Sequence, residues 1–188
     1  MPLIKYLKLV FEQQDKEMIT LDNVPNSYDD WFKIYGDPQE ANSDAPSKTW
    51  ETHNLTWFKL PFDLELSWIP GKAVAYGWMH EKIGNVVVDA LKAMEKERGI
   101  SYIIGNGHNK WGGCYNFRPQ RNRPNSMSTH CFGAAVDINP HLGPLGGPDN
   151  QPSYIVEAFK ERGFTWGEIG KDLILCTFRR VRDYRSLV

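Results

Sequence analysis

The strongest periodic signal lies between residues 76 and 98. Ile83, Val86, Val87, Ala90, Leu91 and Met94 recur at the spacing that places them on one helical face, which predicts a helix over roughly 76–98. Gly84 weakens its first turns by about 1 kcal/mol relative to Ala. Gly99 stands where a helix C-terminus commonly takes a left-handed residue. PSYIVEAFKER at 152–162, followed by Gly163, predicts a second helix. LTWFKLPFDLELSWIP at 55–70 shows partial period-two patterning with two prolines, the mark of short strands or edge segments. SYIIGNG at 101–107 predicts a buried strand ending in a turn, and AAVDI at 134–138 predicts another strand. Residues 1–20 alternate loosely, as a strand or short helix would. Residues 21–50 predict turns and loop pinned by Trp31, Phe32 and Tyr35. The stretch from 105 to 127 has no period and predicts a long loop, of the kind that usually carries function. The order of elements is α+β.

Composition narrows the function classes. A chain of 188 residues suits one compact domain, or one domain with an elaborated terminus. Twenty-two Lys+Arg against 23 Asp+Glu leave a formal charge of −1, which argues against a basic face made for nucleic acid. No window predicts a membrane span, and the N-terminus carries no secretory signal. Cys114, Cys131 and Cys176 are odd in number and widely spaced, which fits a reducing compartment. These features predict synthesis in the cytoplasm, with release by other means if the protein acts outside the membrane.

Chemistry concentrates at Ser128-Thr129-His130-Cys131-Phe132-Gly133-Ala134-Ala135-Val136-Asp137-Ile138-Asn139-Pro140. On one straight strand His130 and Asp137 would face opposite sides, since side chains alternate. They converge only if the chain turns between them, and Gly133 permits that turn. An imidazole nitrogen and a carboxylate oxygen at one point make half of a Zn²⁺ site. The same residues also read as a half-buried, hydrogen-bonded His130 and an Asp137 that caps a turn. Cys131 reads as a small buried group and not a nucleophile. His53 and His80 read as surface or capping residues. The series Trp57, Trp68 and Trp78 reads as core, with saccharide stacking as the alternative.

The spelling S-x-H-x-x-G-x-A-x-D from Ser128 to Asp137 resembles the VanY-like D-alanyl-D-alanine carboxypeptidase and L-alanyl-D-glutamate endopeptidase family of zinc peptidases, which includes phage lysins. Tyr115-Asn116-Phe117-Arg118-Pro119 resembles the family's arginine loop. Gly163-Phe164-Thr165-Trp166-Gly167 resembles its G-F-x-W-G-G segment. The resemblance implies a small antiparallel sheet with flanking helices. It implies a peptidase domain over 71–178, behind an extension at 1–70 and ahead of an Arg-rich tail at 179–188. It implies a zinc ion on His130 and Asp137, with Arg118 stabilising charge and Glu168 at the acidic position. Ser128, Tyr115, Arg121 and Trp166 take supporting or substrate-binding places, Arg121 also as a weaker candidate for the arginine's role. The implied substrate is a peptidoglycan stem peptide, cut by a monomeric lysin. A catalytically inactive wall-binding or virion-associated module is the alternative.

The family completes its site with a second His in an M-H-F strand after W-G-G, and no His follows His141 in this chain. A change of reading frame accounts for the difference. One G restored after the Gly167 codon lets permitted codons for the tail read W-G-G-D-W-E-R-P-Y-P-M-H-F. In that frame Cys176 and Thr177 dictate xTG and xAC, patterns that admit Met and then His or Tyr. The other reading is a diverged tail in which Cys176, His108 or His141 substitutes, or no metal binds. Either way, this chain is expected to keep the fold with weak or absent activity.

Overall fold

The structure, a computed structural model, describes residues 25, 28–120, 123–143 and 150–166. The expectations for residues 1–20 and for the tail beyond 166, including Glu168 and Cys176, lie outside these residues, as does Arg121. Two short helices, α1 (Tyr28–Tyr35) and α2 (Lys48–Asn54), precede a hairpin of β1 (Leu55–Leu66) and β2 (Ala73–His80). Then come helices α3 (Glu81–Arg98) and α4 (Ile100–Gly105) and strands β3 (Lys110–Gly113), β4 (Pro119–Gln120) and β5 (Arg123–Met127). A 3₁₀ turn (Thr129–Phe132), strand β6 (Asp137–Ile138) and helix α5 (Ser153–Lys160) complete the fold, which is α+β.

The main sheet runs β2-β1-β3-β6, while β4 and β5 pair by themselves. β1 pairs antiparallel with β2, and β3 antiparallel with β6. β1 and β3 run parallel through Glu65↔Lys110 and Leu66↔Trp111, so the sheet is mixed. The strand at 55–66 therefore joins the same sheet as β2, β3 and β6. Helix α3 buries the predicted stripe, Ile83 through Met94, against this sheet and α5. Phe58 of β1 reaches that helix where Gly84 leaves room: a Cβ there would fall 2.1 Å from the Phe58 ring. The glycine that weakens the helix on propensity is what lets the sheet approach it.

Several expectations are corrected. The helix begins at Glu81, because residues 76–80 belong to β2, where alternation and not the helical stripe governs. Residues 100–105 form a helix and not a strand: Ile103 is buried while Tyr102 and Ile104 are exposed, and a short apolar run does not reveal its own period. The stretch 105–127 contains three strands. Residues 21–50 contain α1 and the start of α2, though Trp31 and Tyr35 do bury there as anchors. Trp57 and Trp68 are not core, being 64% and 57% exposed, and Trp78 is half-buried. With Phe58 turned to α3, strand alternation sends Trp57 and its cross-strand partner Trp78 to the opposite face.

His80 is a capping residue, and it is fully buried. Its Nδ1 accepts the Lys82 backbone N–H at 3.1 Å at the start of α3, and the rings of Tyr35 and Trp50 pack edge-on against it. Burial, and then the Lys82 charge, push its pKa down to about 4. The folded state thus resists a proton that the unfolded chain takes up below about 6.5. Stability is complete above that pH and falls as pH drops towards 4, by up to about 3 kcal/mol. Urea unfolding at pH 7.5 and 4.5 measures this loss. His80→Asn, which keeps a capping acceptor, is expected to reduce the difference, and an unaltered pH slope in the variant would count against His80 as its source.

Candidate active site

The site is assembled at a turn. Ser128 caps the 3₁₀ turn by accepting the His130 N–H on Oγ at 3.3 Å. Gly133 ends the turn in the left-handed region, at φ 60° and ψ 23°, and redirects the chain so that β6 can pair with β3. The His130 ring is buried, with Nδ1 2.7 Å from the Cys114 carbonyl oxygen. A carbonyl only accepts, so this contact places a proton on Nδ1 and turns Nε2 the other way. Nε2 lies 3.5 Å from Oδ2 of Asp137.

Asp137 reaches this place because β3 carries glycines opposite it. It pairs with Gly113, and a Cβ on Gly112 would fall 2.5 Å from the Asp137 Cβ. Behind β6, Asn139 is fully buried at φ 49°; its Oδ1 accepts from the Lys110 N–H, and its own N–H donates to the Lys110 carbonyl. These contacts fix the end of the strand that bears Asp137.

The donor pair suits half of a zinc site. With metal–ligand bonds of about 2.0–2.2 Å, two ligands of a tetrahedral ion stand about 3.4 Å apart, close to the observed 3.5 Å. The Nδ1–carbonyl contact is the arrangement that orients a ligating histidine. No group of three or more His, Cys, Asp or Glu that could hold a metal occurs among the described residues. His108 is not brought to the pair: its Nδ1 contacts the Tyr154 hydroxyl at 2.9 Å, with His141 near enough to lower its pKa after burial has done so.

The Arg118 backbone is tied closely to the site. Its N–H donates to Cys131 Sγ, and its carbonyl accepts both the Cys131 thiol and the Ser128 N–H. Its guanidinium donates to the Pro119 carbonyl at 3.3 Å. Burial pushes the Cys131 thiol upward, in keeping with a packed group and not a nucleophile. Trp166 is partly buried against the core.

Tyr115 leads to a residue the sequence did not single out. Its hydroxyl donates to Glu51 Oε1 at 2.7 Å, and Lys48 Nζ donates to Oε2 at 2.7 Å. Burial opposes the charge on Glu51, but these donors outweigh it and hold the carboxyl below its ordinary range. Burial and then the carboxylate push the phenol well above its own. Tyr115→Phe leaves one oxygen of the buried Glu51 carboxylate without its donor and is expected to cost about 1.5–3 kcal/mol, read as a lower urea midpoint at unchanged slope.

Residues 121–169, about a quarter of the chain, match the family model described as D-alanyl-D-alanine carboxypeptidase. That match supports a VanY-like zinc peptidase family. It holds both His130 and Asp137, and it supports a peptidoglycan-acting peptidase in general. No curated protein and no solved structure matches the chain.

Proposed function

We propose that the chain has the fold of a zinc peptidase acting on peptidoglycan stem peptides, in the manner of a phage lysin, and that its activity is impaired by the loss of one metal ligand. The observation that carries this reading is the 3.5 Å approach of His130 Nε2 to Asp137 Oδ2 inside the matched segment. His130 and Asp137 would hold zinc, which when bound supplies a water acidic enough to be deprotonated near neutral pH. The Cys114 carbonyl holds the imidazole by Nδ1, and Ser128 holds the His130 backbone N–H. Arg118 supplies a permanent positive charge for a substrate carboxylate or a developing oxyanion. Glu168 and Arg121 take their places from the resemblance alone. The family match stops at residue 169, just after the point where the frame change would begin, which supports the frameshift reading of the tail.

The donor set among the described residues, two and not three, favours a second reading, a wall-binding module without catalysis. Purified peptidoglycan separates the two. The peptidase reading predicts slow, chelator-sensitive release of new amino groups by this chain and faster release by its frame-restored form. The binding reading predicts co-sedimentation with the wall and no release from either.

A further inference from the structure

Three consecutive residues, 113–115, support both halves of the site: Gly113 pairs with Asp137, and the Cys114 carbonyl holds His130. The same three residues carry an aromatic rim. Trp68 stands beside Gly113, where a Cβ would meet its Cη2 at 3.9 Å. Tyr115 meets Trp78 edge-on at 5.1 Å, and Trp78 stacks on Trp57 with centroids 5.9 Å apart and planes 20° apart. Trp57, Trp68 and Tyr76, the last on the same face as Trp78, are at least half exposed. Trp57, Tyr76 and Trp78 stand on paired strands and are already ordered, with Trp68 on the turn between β1 and β2, so a flat ligand face meets the strand rings at little entropic cost.

We propose that this rim is a carbohydrate subsite that receives N-acetylhexosamine units of the glycan strand while the attached stem peptide lies at His130 and Asp137. The inference rests on the peptidoglycan reading of the site. Continuity decides the occupant: the rim begins at the residues that hold the site, and the stem peptide of that substrate is covalently joined to a sugar. A pyranose offers an apolar C–H face that covers an indole ring, while its rim of hydroxyls stays in water. A second copy of the chain is the competing occupant.

Calorimetric titration of the full chain with the tetramer of β-1,4-linked N-acetylglucosamine tests the proposal. Saturable binding is expected, weakened about tenfold, a loss of about 1.4 kcal/mol, by Trp57→Ala and by Trp68→Ala. Both side chains are exposed, so the variants should keep the fold, which circular dichroism checks; Trp57→Phe should retain most of the affinity. Absence of sugar binding, or equal binding by the alanine variants, overturns the proposal. Binding of a free stem peptide together with no binding of the sugar tetramer overturns it while leaving the peptidase reading intact. Self-association that the same variants abolish, without sugar binding, assigns the face to a second copy and overturns it too. Sugar binding that persists when the frame-restored chain fails to cut walls retains the subsite and removes the peptidase reading.

Discussion

Inserting one G after the Gly167 codon is expected to convert a chain that holds zinc weakly into one that holds it tightly, one ion per chain. The described residues supply two donors at zinc-ligand spacing and no group of three. Removing a residue that merely orients a ligand costs about 10–100-fold in affinity or activity. Losing a ligand outright should cost more, so the restored chain is expected to bind at least about 100-fold more tightly. Competition against a chromophoric chelator measures the difference, and the coding DNA provides an independent check. Equal affinities for the two chains would contradict the account. So would codons that place Tyr and not His in the restored frame.

Gly133→Val is expected to destabilise the fold by about 3 kcal/mol. The residue sits at φ 60°, in the left-handed region that β-branched side chains avoid. A Cβ there would lie 2.5 Å from Leu55 Cδ2 and 3.1 Å from the backbone nitrogen of His80. That nitrogen also donates to the Gly133 carbonyl at 2.8 Å, so relief of the clash disturbs the contact between the site turn and the end of β2. Urea unfolding should show a lower midpoint at constant slope, accompanied by weaker metal retention. A wild-type midpoint would mean that the turn tolerates a side chain and does not need glycine to bring His130 and Asp137 together.

What could be read from sequence followed from how locally each feature is encoded. The α3 stripe was legible because Ile83 to Met94 repeat at one period, and α5 because Gly163 closes it. His130 and Asp137 could be paired because the residue permitting the turn, Gly133, lies between them in sequence. β3 was missed because Trp111-Gly112-Gly113 has no alternation: its glycines make room for Asp137, and only the pairing with β6 shows that. Helix α4 was missed because four apolar residues fit either period. The exposed faces of Trp57 and Trp68 were mistaken for core because residue type does not say which face of a hairpin a helix covers. Glu51 left no signal, since its partner Tyr115 lies 64 residues away. His80 showed itself as a cap, but its burial depends on Tyr35 and Trp50, which tertiary packing supplies.

Anomalous diffraction at the zinc edge, from crystals of this chain soaked in zinc, tests the shared-cation geometry most directly. The account predicts a peak within bonding distance of both Nε2 of His130 and Oδ2 of Asp137. Zinc found only elsewhere on the molecule, or bound to one of these side chains with the other turned away, would contradict it.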